Sequence, residues 1–363
     1  MAQRTTETDA PENGAERGAL FRWHPAQAGR RSLQPILHDE LWKQYKTLQG
    51  LHWVPEEVDL TRDKADWARL APREQHFVKG FLAFFSRADF DVVDLLDKID
   101  PHVRGVHEAS MYLAEQRAQE HVHAEAYDLQ IQGLGLPADE ISALRSAFQT
   151  NPAVAALHQW IQGWLGAEVP LGETLVADAF TEGLLFQGAF AALQWLRERN
   201  LLPGVTMYNS FIARDEGVHT LTVCALIARL CARARPTPAR IHQICESAVD
   251  QAVSFVSHVV PVEAPPHPAT PNTAADGRGP ALIGLTRPLL VQYLKFQADC
   301  VLTAMGEPEL YGVENPFPFM DQLSLNRLAK TNFFEHRHLG YRELAGASAD
   351  ALVFTLRDDP VSW

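Results

Sequence analysis

The motif Glu-x-x-His occurs at Glu120/His123, Glu216/His219 and Glu335/His338. The chain has 363 residues and 15 histidines, so roughly one such match is expected by chance and context must separate them. The first two lie in long proline-free stretches rich in Ala, Leu, Gln, Glu and Arg, with apolar positions recurring every three or four residues. In a helix, residues i and i+3 share a face, and a carboxylate beside an imidazole can hold a metal ion or exchange a proton. Glu335 and His338 fall where periodicity is weak and read as the chance match. Two lone acids matter as well. Asp89 sits in KGFLAFFSRADFDVVDLL, with Phe85, Val92, Val93 and Leu96 on its own face. Glu182 sits in ADAFTEGLLFQGAFAAL, with Leu185, Phe186, Ala189 and Phe190 on its face. A carboxylate on a core-facing stripe is costly unless it is paired or bound to metal.

Spacing ties these residues together. Asp89 precedes Glu120 by 31 residues and Glu182 precedes Glu216 by 34; the two motifs are 96 apart and the two lone acids 93. The chain thus repeats one unit, a helix with a lone carboxylate followed by a helix with Glu-x-x-His. Two such units bring Asp89, Glu120, His123, Glu182, Glu216 and His219 to one interior site, the donor set of a dinuclear centre in a ferritin-like bundle. Oxygen and imidazole donors suit iron or manganese. Taken singly, each acid reads as an ordinary buried or surface carboxylate and each histidine as structural; the order and spacing of all six carry the reading.

Other residues lie beside these six. Tyr127 follows His123 by one turn on the same face, as a core aromatic with a bonded hydroxyl or as a redox tyrosine. Phe186, Phe190 and Ile212 lie one or two turns from the donors and form an apolar shell. Asp215 could accept the second N–H of a donor histidine. His121, inside EHVH, points about 100° away from Glu120 on a helix and reads as solvated, or as a neighbour of the donors, rather than as a donor itself.

Positioning these side chains requires long helices, and proline placement outlines them. The pattern predicts helices over 73–99, 106–133, 172–199, 205–234 and 238–258, with shorter ones near 38–48, 139–149, 153–166 and 286–305. Alternating Val/Ile/Thr runs bounded by Asn-Gly or Asp-Gly are nearly missing, so the fold class is all-α, a helical bundle. Residues 1–30 are polar and read as a disordered extension, 31–335 as the helical domain, and 336–363 as a flexible tail. VEAPPHPATPNTAADGRGP (262–280) reads as a loop.

Composition narrows the function classes. Lys and Arg total 32 against 45 Asp and Glu, a formal charge of −13, which argues against a nucleic-acid binder. Cys224, Cys231, Cys245 and Cys300 show neither CxxC spacing nor the density of a disulfide framework. A reduced, cytoplasmic setting is expected, with no signal peptide and no membrane span. Neither a GxxxxGK[ST] nor a GxGxxG loop occurs.

From about Ile36 to Tyr341 the chain resembles the small, radical-generating subunit of class I ribonucleotide reductase. The resemblance rests on LHDELWKQYK, HWVPEEVDLTRD, LAFFSRADFDVV, EHVHAEAY, EGLLFQGAFAAL, IARDEGVH, ALIGL…QYLKFQAD and NPFPFMDQLSLNRLAKTNFFEHR, in that order. It implies metal ligation by the six donors and a radical at Tyr127. Trp53 and Asp215 would lie on the radical-transfer route, and Tyr341 would relay to a large partner subunit on which LVFTLRDDPVSW docks. A homodimer is implied, and the use of a flavoprotein activator is left open. Iron in both positions is the first expectation, and Mn/Mn or Mn/Fe suits the same donors. The chain departs from the family pattern at Ala329, where Gly is common, and in its DDPVSW end. Rival readings are another diiron oxidase or hydroxylase on the same bundle, a subunit storing its oxidant on the metals, an iron-storage protein, and a metal-free helical module.

Overall fold

The structure, a computed structural model, describes residues 20–260 and 285–323. Among the described residues twelve α-helices follow one another: α1 Asp39–Leu51, α2 Asp63–Arg69, α3 Pro72–Val103, α4 His107–Gly133, α5 Ala138–Arg145, α6 Ala147–Thr150, α7 Pro152–Gln162, α8 Leu171–Phe180, α9 Gln187–Glu198, α10 Pro203–Ala228, α11 Pro238–Val259 and α12 Arg287–Ala304. Among the described residues no β-strand forms; Phe21 and Leu230 make one isolated bridge. The fold is the all-α, ferritin-like bundle expected from the periodicity.

The long elements start where proline and acids favour it. Pro72 opens α3, and Glu74 Oε2 accepts from the Ala71 N–H at 2.9 Å. Pro203 opens α10, whose first N–H groups, on Gly204 and Val205, donate to Asp63 of α2 at 3.0 and 2.8 Å. A helix start buried without such partners would carry orphaned donors. The short α2, not anticipated from periodicity, thus anchors the helix that carries the second Glu-x-x-His.

Inside the bundle, α3 packs along α4 and α1 covers α4. The segment α8–α9 packs against α10, with α11 and α12 behind it. The four element faces bearing acids and histidines therefore meet in the middle. Around them lies an apolar core with many aromatic rings, among them Phe77, Phe81, Phe85, Phe180, Phe186 and Phe190, all essentially without exposed surface.

Three expectations need correction. The helix expected over 172–199 is interrupted: Thr181–Leu185 forms a π-turn between α8 and α9, the kind of local widening that concentrates at functional sites. The helix expected to reach 234 ends at Ala228, because the chain beyond it pairs with the N-terminal segment through Arg22 N to Arg229 O and Cys231 N to Leu20 O. Residues 20–30, expected within a disordered extension, are placed: Phe21 is buried, and Arg30 is ion-paired with Glu108 at 2.8 Å. Isolated polarity did not reveal that anchor. Residues 262–280, 324–335 and the tail 336–363 lie outside the described residues.

Candidate metal centre

The six donors come from four stretches of the bundle: Asp89 from α3, Glu120 and His123 from α4, Glu182 from the π-turn, and Glu216 and His219 from α10. All six are buried, none more than 1% exposed. Their ligand-capable atoms fall into two overlapping groups, Asp89–Glu120–His123–Glu216 and Glu120–Glu182–Glu216–His219, each with its atoms within 4.8 Å of one another. Glu120 and Glu216 belong to both. The overlap suits two ions, with Glu120 and Glu216 available to both.

The orientation of the imidazoles supports the same reading. His123 Nδ1 lies 3.0 Å from Glu216 and 3.5 Å from Glu120, and His219 Nδ1 lies 3.1 Å from Glu120 and 3.6 Å from Glu216. The outer nitrogens face away, His123 Nε2 toward Asp215 Oδ2 at 3.4 Å and His219 Nε2 toward Gln119 Oε1 at 2.9 Å. An acceptor at each outer nitrogen holds the proton there and frees Nδ1 to ligate. Both Nδ1 atoms, both Asp89 oxygens, both Glu216 oxygens, and Oε2 of Glu120 and of Glu182 are buried without a hydrogen-bond partner. So many orphaned acceptors turned toward one another fit a pair of cations between them.

The electrostatics agree with the geometry. Burial raises the Asp89 and Glu182 carboxyls well above the ordinary carboxylate range. Burial works against ionisation at Glu120 too, but His219 and His123 outweigh it and hold that carboxyl down at about 2. His219 is pushed up to about 9 because Glu120 and Glu216 outweigh the cost of its burial. The cluster demands positive charge, which bound cations supply in place of protons.

Around this core, Trp53 Nε1 donates to Asp215 Oδ2 at 2.7 Å, and its ring lies 6.0 Å from the His123 ring. Arg214 donates twice to Asp215 Oδ1, at 3.1 and 3.0 Å, and to Leu51 O at 2.9 Å. Trp53, Asp215 and His123 thus form one continuous buried path. Tyr127 is fully buried with its hydroxyl unpartnered, and its ring stacks on Phe85 at 4.3 Å with 3° between planes. Phe186 and Phe190 pack on Phe85 at 5.6 and 5.3 Å, and Ile212 is buried one turn before Glu216. Burial first, then Asp89, raises the Tyr127 hydroxyl well above its ordinary value. His121 is exposed beside Phe90, outside the cluster as expected. Tyr341, Glu335 and His338 lie outside the described residues.

Sequence reasoning missed several contributors. Gln116 donates to Glu182 Oε1 at 2.8 Å and faces Glu120 Oε1 at 3.3 Å, while Gln119 orients His219. Gln116 lies one turn before Glu120, so the helical period that selected Glu120 and His123 also points to it. Gln119 directly precedes Glu120 and carries no comparable signal.

Comparisons with known proteins point the same way. The family described as "Ribonucleotide reductase, small chain" matches residues 30–270. The chain is 35% identical over 332 residues to the ribonucleoside-diphosphate reductase small chain of African swine fever virus (isolate Pig/Kenya/KEN-50/1950), covering 91% of this chain and 96% of that protein. It is 35% identical over 327 residues to ribonucleoside-diphosphate reductase subunit M2 of Mesocricetus auratus, covering 90% and 78%. Its fold matches that of the ribonucleotide reductase R2 subunit from Clostridium botulinum with a TM-score of 0.68 at 16% identity, covering 88% of this chain and 99% of that one. The likeness spans the helices that carry all six donors, and the chain belongs to the family of ribonucleotide reductase small chains, the small subunits of ribonucleoside-diphosphate reductase.

Proposed function

We propose that this subunit stores a one-electron oxidising equivalent at Tyr127 and passes it to a separate large subunit, where ribonucleotides are reduced to deoxyribonucleotides. The observation that carries the reading is the Tyr127 hydroxyl, buried and unpartnered on the Asp89 side of the donor cluster. Bound iron, with Mn/Mn or Mn/Fe as alternatives, would supply the oxidising power on meeting oxygen or an oxidant derived from it. Asp89, Glu120, His123 and Glu216 would hold one ion, and Glu120, Glu182, Glu216 and His219 the other.

The chain's own residues set the conditions. Burial and nearby carboxylates disfavour a phenolate at Tyr127, so its proton leaves together with the electron rather than ahead of it. Phe85, Phe186, Phe190 and Ile212 keep water and reductants from the ring. Asp215 holds the His123 outer proton and the Trp53 indole on one carboxylate, which favours Trp53 and Asp215 as the start of a transfer route. Tyr341 and the LVFTLRDDPVSW end would complete that route on the large subunit. Assembly as a homodimer in the cytoplasm belongs to the same reading, and a flavoprotein activator is compatible with it.

The deciding experiment is Tyr127→Phe. The ring remains and only an unpartnered hydroxyl goes, so metal content and melting temperature should stay close to wild type. The tyrosyl signal in electron paramagnetic resonance should vanish, and nucleotide reduction should fall to background. Full activity in this variant would place the stored oxidant on the metals instead. Removing residues 345–363 tests the docking role: metal content should be kept while activation of the large subunit collapses.

A further inference from the structure

Among the described residues, five acids have a buried side-chain oxygen with no hydrogen-bond partner: Asp89, Glu120, Glu182, Glu216 and Asp178. The first four are donors of the metal centre. Acids buried for structural reasons elsewhere look different. Asp63 accepts from two α10 amides, Asp299 from the amides of Leu310, Tyr311 and Gly312, Glu108 from Arg30, and Asp91 faces His158, Gln162 and Arg87. Asp178 is 0% exposed, and neither of its oxygens has a partner.

Its place in the chain is equally specific. Asp178 lies in the last turn of α8, four residues before Glu182, where α8 gives way to the π-turn. Beyond the cost of its own burial, the charges acting on it are Glu120, His219 and Glu216, and it is the first charge to act on Glu182. These residues make up the His219 half of the site. Asp178 is not among the donor atoms that converge within 4.8 Å, so it stands one step behind them.

We propose that Asp178 is a fifth carboxyl of the metal centre, a positioning residue that strengthens binding of the ion on the His219 side. The inference rests on the metal-centre reading above. Four donor carboxylates balance two divalent ions; a fifth adds attraction in a water-free interior, where such attraction is weakly screened. Without such a role a buried, partnerless carboxyl is only a cost, and a similar-sized apolar residue would be more stable there.

The test titrates full-length, metal-stripped protein with Mn(II), following free Mn(II) by electron paramagnetic resonance and binding by calorimetry. Wild type should take up two ions. Asp178→Asn and Asp178→Leu should keep the first ion and bind the second about 10-fold more weakly, the scale of loss for residues that support metal ligands. Metal-free Asp178→Leu should melt at or above wild type, an effect a merely structural aspartate would not show. Unchanged isotherms in both variants would overturn the proposal, as would an unchanged isotherm with a lower metal-free melting temperature. Failure of the wild type to bind Mn(II) would instead overturn the metal-centre reading itself. Should Asp178→Leu fail to fold, the Asp178→Asn isotherm decides alone.

Discussion

The two halves of the centre share Glu120 and Glu216 but differ in what stands behind them. Behind His123 is a charged group: Asp215, held by Arg214 and donated to by Trp53, with Tyr127 on the same side. On the His219 side stand two neutral amides and one buried acid: Gln119, Gln116 and Asp178. An imidazole backed by a carboxylate is a stronger donor than one backed by an amide. Near-identical ligand sets, produced by one repeated helix pair, are thus set apart by their second neighbours: one half is backed by a carboxylate, and the other by amides and a further buried acid.

The harshest way to break the comparison is to remove a shared carboxylate. Glu120→Ala should abolish uptake of both ions and all activity, as read by metal analysis and turnover with the large subunit; retention of one ion would mean that the halves are independent. Next in size is Asp215→Asn, which leaves His123 with a neutral partner and disturbs the Trp53 contact. It should weaken the His123-side ion about 10- to 100-fold and depress turnover further, while Gln119→Leu should affect only the His219-side ion. Equal effects of both variants on both ions would erase the distinction between the halves.

A smaller effect is expected at the π-turn. A Cβ on Gly183 would meet Val301 Cγ2 at 2.6 Å and Thr220 Cγ2 at 2.7 Å, so Gly183→Ala must push the turn off α10 and α12. A loss of about 1–3 kcal/mol in chemical unfolding is expected for such overpacking, with Glu182 displaced and the His219-side ion weakened before the other. The mildest test uses an ion pair remote from both halves. Burial alone would raise Glu108, but Arg30 and the Leu37 N–H outweigh it and hold its carboxyl at about 2, below the ordinary 4.5. A carboxyl with a lowered folded value stabilises the fold above the unfolded value and loses that contribution as pH falls through the folded one. Stability measured by denaturant should therefore drop between about pH 4.5 and 2, and Glu108→Gln should flatten that limb with no change in metal distribution at neutral pH.

Much of this was legible in the residues because the relevant signals are periodic. Asp89, Glu120, His123, Glu182, Glu216 and His219 stand at helical spacings within apolar stripes, and burying a carboxylate without a partner costs too much to be incidental. The helical period and the proline positions likewise outlined α3, α4, α10 and α11 to within a few residues, save for the end of α10. What stayed hidden depends on contacts between segments far apart in sequence. Phe21 and Arg30 sit in a polar stretch, and only their partners Leu230 and Glu108 show that it is anchored. The π-turn at Thr181–Leu185 leaves no mark in a pattern that reads as one unbroken helix. Asp178 carries no mark in the sequence; it stands out because, among the described residues, every other buried acid outside the donor cluster has a partner. Local propensity and burial cost determined which faces turn inward and which side chains could ligate metal. The tertiary structure alone decided which nitrogen of each histidine faces the other donors and what backs it, because those choices follow from hydrogen bonds between helices rather than from spacing along one.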